Sequence, residues 1–274
     1  MRTATVVITS RRGAFGLDLK SLWPYRELLY FLVWRDIKVR YKQTLIGAGW
    51  VVLQPLLTVL VFTVIFSYFA HMPSDGLPYP LFAFAAILPW SYFSQAVGRG
   101  ASSLVFASSL VSKVYFPRLI IPMAAVAAPL VELALSLVAM LGLMLWYGVM
   151  PTARIATLPI FLLVALGAAL ASAVLLSALN VEYRDVGHII PFVLQVWMYA
   201  SPVVYPVSVV PEPWRGLYWL NPMAGVIEGS RWALLGTEGF PLGAIATAVG
   251  VTAVMLVVAV SYFRSVERTL ADVI

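Results

Sequence analysis

Six apolar stretches recur along the chain, at residues 47–70, 80–97, 119–147, 158–179, 189–205 and 242–263. Each approaches or exceeds the roughly 20 residues that an α-helix needs to cross a bilayer. Clusters of Gly, Pro and polar residues separate them at 71–79, 98–118, 148–157, 180–188 and 206–241, and none of these gaps is long enough for a soluble domain. The third stretch is overlong and carries Pro122 and Pro129. Proline removes a backbone donor and bends a helix, so this span is expected to kink or to project below the membrane. The pattern predicts an all-α integral membrane protein, with a six-helix transmembrane domain over residues 45–274.

Two segments outside the spans have patterns of their own. Over 23–44 the sequence predicts an amphipathic helix. Glu27, Phe31, Arg35, Lys38 and Lys42 share one face, while Tyr25, Leu28, Leu29, Leu32 and Val33 lean to the other. Asp36 and Arg40 stand four apart with the acid first, the favourable order for a pair. Such a helix is expected to lie on the inner leaflet, and the charges interrupting its apolar side suggest protein contact as well. The last gap, 206–241, is too rich in Trp, Pro and Gly for a solvated loop. One or two short re-entrant helices, entering the outer leaflet and returning, are the expectation there, with 222–235 able to form a short helix; a surface loop with interfacial aromatics is the alternative.

Composition agrees with the spans. Hydrophobic residues make up 62% of the 274, charged residues only 11%, and there is no cysteine. Soluble domains carry about a quarter charged residues. The absence of cysteine excludes disulfides and thiolate metal sites. No apolar run precedes Gly47, so nothing resembles a cleavable signal peptide and the first span is expected to direct insertion. Residues 1–46, which include a tail at 1–22, hold nine Lys/Arg against three acids, the whole net charge of +6. Beside a membrane span such a segment faces anionic lipid or fixes topology rather than binding nucleic acid. With both ends in the cytoplasm, fifteen basic residues fall inside and three (Arg154, Arg215, Arg231) outside, which predicts that orientation.

Chemistry is sparse. No Walker A pattern occurs, so the chain has no phosphate-cradling loop for ATP. His71 and His188 fall on opposite sides of the membrane and cannot share a metal or a reaction. No cluster of carboxylates or bases suits a membrane hydrolase, and no metal site is expected. Glu132 stands alone inside the third span, either as a functional acid or as a buried group holding helices together. Aromatic residues are 13% of the chain. Phe62, Phe66 and Phe69 share a helical face, as do Trp90 and Phe93, and Tyr199 marks the fifth span. Such rings serve packing or the interfacial belt, or line a conduit that meets the C–H faces of sugars.

Several strings occur in a telling order: Arg40-Tyr41-Lys42-Gln43-Thr44 leading to Gly47, Trp50 and Gln54-Pro55; Lys113-Val114-Tyr115-Phe116-Pro117-Arg118; Asn180-Val181-Glu182-Tyr183-Arg184-Asp185; Ser201-Pro202-Val203-Val204-Tyr205; Leu220-Asn221-Pro222-Met223; and the terminal Ala271-Asp272-Val273-Ile274. Together they resemble the permease subunit of ABC-2-type polysaccharide exporters, the group for lipopolysaccharide O-antigen, capsule and teichoic acid. The resemblance covers about residues 23–274, with Ile46 standing where Leu is usual before the Gly.

The resemblance implies a multi-pass protein of the bacterial inner membrane, working as two copies with two copies of a separate ATP-binding subunit. ATP and Mg would act on that partner, with no catalysis or cofactor in this chain. It implies export of an undecaprenyl-pyrophosphate-linked polysaccharide through a channel between two permeases. Arg35, Lys38, Arg40 and Lys42 would then meet the lipid pyrophosphate. The segment holding Ser112, Lys113, Tyr115 and Arg118 would receive ATPase motion, although Lys113 and Arg118 serve equally well as topology markers. Phe62, Phe66, Phe69, Trp90, Phe93 and Tyr199 would line the channel. An external gate would involve Trp214, Asn221, Pro222 and Glu228. A permease of the same type for another lipid or a drug is the alternative. An ion-coupled transporter would need duplicated halves and coupling carboxylates, which the sequence lacks.

Overall fold

A computed structural model describes residues 22–42, 49–237, 239–240 and 242–267. The N-terminal tail, the Gln43–Thr44 and Gly47 positions and the Ala271–Ile274 string lie outside these residues. The described chain is helical throughout, without strands. A 3-10 turn, Trp23–Tyr25, leads into α1 (Arg26–Tyr41). The first span is α2 (Gly49–Phe62), continued by a π-helical stretch, Thr63–Phe69. Then come α3 (Tyr79–Phe106), the short α4 (Ser108–Val111), α5 (Ile120–Ala127) and α6 (Leu130–Trp146). A 3-10 turn at Ala153–Thr157 opens α7 (Leu158–Glu182), followed by α8 (Val186–Tyr199), α9 (Glu212–Tyr218), α10 (Pro222–Leu235) and α11 (Leu242–Val266).

Among the described residues, five helical units are long and apolar enough to cross a membrane: Gly49–Phe69, Tyr79–Phe106, Ile120–Trp146, Ala153–Glu182 and Leu242–Val266. The expected break in the third lies between α5 and α6, where Pro129 removes a backbone donor. The fifth apolar stretch differs from expectation. Its helix α8 has 14 residues, about 21 Å at 1.5 Å per residue, short of a hydrocarbon core of about 30 Å. Beyond Tyr199 the chain turns irregularly, with Ser201, Val203 and Val204 buried.

The second span is longer than the sequence pattern implied. Gly98–Phe106 continues α3, so the gap expected at 98–118 begins with more than two further helical turns. Those turns mix Ser, Gly and Arg with apolar residues, which hides a helix from a reading based on hydrophobic runs. α3 is the centre of the fold, buried nearly all round. It lies against α7, with small buried residues on both helices (Ala96 and Gly100, Ala169 and Ala173) and Gly100 facing Ala173. A Cβ on Gly100 would come within 2.3 Å of the Ala173 Cβ. Without a hydrophobic drive between helices in lipid, this close approach supplies the packing attraction.

Polar side chains tie the ends of the bundle. Asn180 donates to the Ala101 carbonyl (3.0 Å) and accepts from the Gly187 amide (2.9 Å), joining α7, α3 and α8 at one turn. At the other end Asn221 caps α10 by accepting from the Met223 amide, with Pro222 at the first helical position. Gly236, at φ +71°, ends that helix in the left-handed conformation that suits glycine. The short helix expected at 222–235 therefore forms over those residues. It is buried against α3, α7 and α11, which fits irregular or short elements at membrane depth only where protein surrounds them.

Candidate functional site

The amphipathic pattern of residues 23–44 places its apolar side on protein. Leu32 is buried, and Tyr25, Leu28, Leu29 and Val33 pack with it on Phe116, Ile120, Ile121, Ala124 and Phe263. The opposite face leaves Trp23, Tyr30, Phe31 and Trp34 exposed. α1 thus rests on α5, and its C-terminal half reaches α3 through Arg40.

Between these elements lies a cavity of about 730 Å³, lined by Arg35, Asp36, Val39 and Arg40 from α1 and by Gly98, Arg99, Ser102 and Ser103 from α3, with α5 closing one side. At its edge Arg40 and Arg99 converge on Glu132 of α6. Arg99 Nη2 lies 2.9 Å from Glu132 Oε1, and Arg40 Nη1 meets the same oxygen. Gln95 Oε1 accepts from Arg40 Nη2 (3.1 Å) and from Arg99 Nη2 (2.9 Å). A second, smaller cleft lies where Glu132 meets Gln54, Ser91, Tyr92 and Ser136. A polar seam therefore enters the fold from the α1 side between α2, α3 and α6.

Two expectations change here. Glu132 is no solitary acid, because the extension of α3 carries Arg99 to its level and α1 supplies Arg40. The expected Asp36–Arg40 pair does not form: Arg40 turns to the buried carboxylate, and Asp36 pairs with Arg35 at 2.9 Å. Of the four basic residues expected at the lipid pyrophosphate, Arg35 and Arg40 line the cavity, while Lys38 and Lys42 are exposed away from it. Arg99 and Gln95 were missed. Their signal was present as Ser91, Gln95, Arg99 and Ser102–Ser103, one polar stripe at helical spacing.

The other expected sites are spread apart. Ser112, Lys113 and Tyr115 are exposed on the turn after α4, anchored by buried Phe116. Arg118 instead donates to the Glu267 carbonyl at the end of α11. Phe62 and Phe66 are half-buried and meet edge to face at 5.5 Å, while Phe69 and Tyr199 are exposed. Trp90 and Phe93 are buried in the core, Phe93 meeting Trp197 at 5.0 Å. Both rings are packed inside this chain.

On the far side of the bundle Trp214 is exposed and Asn221 binds Trp197 Nε1 (2.9 Å), Ser201 Oγ (2.8 Å) and the Ala200 carbonyl (3.2 Å). Glu228 pairs at 2.8 Å with Arg231, which is 1% exposed. Arg231, expected in an external loop, is instead a core residue. It donates to the Val203 carbonyl (3.1 Å) and the Phe82 carbonyl (3.4 Å), and its guanidinium lies 3.6 Å from the Phe82 ring centre. Tyr79 Oη donates to the next carbonyl, Val204 (2.8 Å). The irregular turn after α8 is thus held by side chains in place of helical bonds. Burial raises the Glu228 pKa and lowers that of Arg231, and their mutual attraction opposes both shifts.

Comparison with known proteins gives consistent matches. The family model described as ABC-2 type transporter matches residues 27–235. An O-antigen export system permease protein, RfbA, of Myxococcus xanthus is 35% identical over 93% of this chain and 98% of its own length. Another RfbA, from Klebsiella pneumoniae, is 24% identical over 90% of this chain and 95% of its own. The polysialic acid transport protein KpsM of Escherichia coli is 24% identical over 86% and 92%.

Proposed function

We propose, from the premise that the chain belongs to the ABC-2 type transporter family, that it is the channel-forming permease subunit of an ATP-driven polysaccharide exporter. Its cargo is an undecaprenyl-linked polysaccharide, O-antigen foremost, carried from the cytoplasm across the inner membrane. The observation that carries this reading is the 35% identity to an O-antigen export permease along nearly the whole length of both chains. The polysialic acid transport relative supports the same cargo class.

The protein is a multi-pass membrane protein with five long apolar helices. The sixth crossing is made by α8 together with the buried turn that follows it, which places both termini in the cytoplasm. Two copies form the channel, bringing together some of the broad apolar faces that α2, α8 and α11 leave exposed. Two copies of a separate subunit bind ATP and Mg. The exposed Ser112–Tyr115 turn receives their movement, and α9 with α10 forms the external gate. The cavity under α1 receives the lipid pyrophosphate, with Arg35 and Arg40 joined by Arg99. Lys38 and Lys42 face the anionic surface of the inner leaflet.

ATP turnover separates this reading from a self-powered pump. The purified chain hydrolyses no ATP, and the complex with its ATP-binding subunit does; a Lys113→Glu, Tyr115→Ala variant lowers that turnover at least about fivefold by uncoupling the two. Robust hydrolysis by the permease alone contradicts the assignment.

A further inference from the structure

Three arginines border the cavity under α1; Arg35 is paired with Asp36, and the other two face two ways. Inward, Arg40 and Arg99 share one oxygen of Glu132, a carboxylate only 6% exposed. Outward, both line open space, at side-chain exposures of 35% and 32%. A guanidinium carries five N–H donors in a planar fork, and the bonds of Arg99 to Glu132 and Gln95 both leave from Nη2. Gln95 fixes the two guanidiniums side by side. Such paired forks match the oxygens of a phosphate better than lysines would. Ser102 and Ser103 supply hydroxyls on the same wall. Two guanidiniums against one carboxylate leave a net positive charge, whereas a pyrophosphate diester brings one negative charge per phosphate.

We propose that Arg40 and Arg99 form the receptor for the pyrophosphate of the lipid-linked cargo, and that Glu132 is the resident acceptor with which it competes. The inference rests on the exporter reading, with the headgroup under α1, and adds what holds the arginines before it arrives and what its arrival releases. The three residues sit on three elements, α1, α3 and α6. Transfer of the Arg40 bond from Glu132 to the headgroup therefore unties the C-terminal end of α1 from α6. Arrival of cargo and release of the interfacial helix become one event. Glu132 is a positioning residue that keeps the arginines ordered and the site closed to weaker anions.

The test is binding of geranylgeranyl pyrophosphate to the whole permease–ATPase complex in nanodiscs. Geranylgeraniol serves as the uncharged control and inorganic pyrophosphate as competitor. Wild type binds the pyrophosphate lipid and not the alcohol, and inorganic pyrophosphate displaces it. Arg99→Gln weakens binding about tenfold or more. Ser102→Trp, which fills the cavity and leaves the ion cluster alone, weakens it similarly. Glu132→Gln tightens binding by at least about threefold, because the competing charge is gone. Lys38→Gln stays within about twofold of wild type. The proposal is overturned if the alcohol binds as well as the pyrophosphate, if Arg99→Gln and Ser102→Trp bind like wild type, or if Glu132→Gln in a folded complex fails to tighten binding. A wild-type complex that ignores geranylgeranyl pyrophosphate also overturns it, while leaving the exporter reading intact if deletion of the gene still removes surface polysaccharide. Unchanged surface polysaccharide after deletion sinks the exporter reading itself.

Discussion

A guanidinium at 1% exposure must find acceptors within the protein, because leaving a charge unpaired there is prohibitive. Arg231 does so with one carboxylate, two backbone carbonyls and the face of Phe82. Its bond to Val203 and that of Tyr79 to Val204 hold the turn where α8 stops, so the charge stabilises a backbone that no helix supports. Arg231→Met strands Glu228 and both carbonyls, at a cost of about 3 kcal/mol. The expected readout is a clear fall in the thermal midpoint of the detergent-solubilised protein, larger than that of exposed Lys38→Met, and partly restored by adding Glu228→Met. Equal midpoints for the two single variants contradict this account. Little of this was legible in the sequence, where Glu228 read as part of an external gate and Arg231 as one of three basic residues outside. The i, i+3 spacing of opposite charges was visible, but burial depends on what surrounds a helix, and those neighbours are far away in sequence. Glu132 shows the same limit: its depth was legible, its partners were not.

Helices were more legible than contacts. Hydrophobic runs located α2, α7 and α11 closely, because lipid imposes both length and composition on a crossing element. The runs failed where a helix left that regime. α3 outlasts its apolar run because protein rather than lipid covers its inner turns, so Arg99, Ser102 and Ser103 are tolerated. α8 falls short of its run because the apolar residues after Tyr199 fold into a buried turn. α10 was expected over 222–235 because that gap is too apolar for a solvated loop, and its close packing explains its glycines. A Cβ on Gly225 would lie 2.4 Å from the Ala244 carbonyl oxygen, and one on Gly229 would lie 2.4 Å from the Phe161 ring. Gly225→Val therefore forces α10 and α11 apart, against a backbone atom that cannot rotate away, costing roughly 3 kcal/mol or more. The expected outcome is loss of the monodisperse peak on gel filtration. Gly243→Val, with nothing within 4 Å of its Cβ, keeps it; equal behaviour of the two variants refutes the packing argument.

At the scale of the molecule, the protomer has one well-covered centre around α3 and a rim of helices with exposed apolar faces. Lipid suffices for part of that rim, and the proposed second copy covers part of the rest. The two polar features lie at opposite ends of this body, the Arg40–Arg99–Glu132 cluster under α1 and the Arg231–Glu228 pair beneath α9 and α10. That separation suits a carrier that admits a charged lipid headgroup at one surface and restrains an exit at the other. Outward movement of lipid-linked polysaccharide by this chain is read out by surface-glycan analysis of an in-frame deletion strain. The expected result is loss of the surface polymer with accumulation of its lipid-linked form inside the cell, both reversed by the intact gene. A deletion strain with normal surface polysaccharide and no internal accumulation would contradict it.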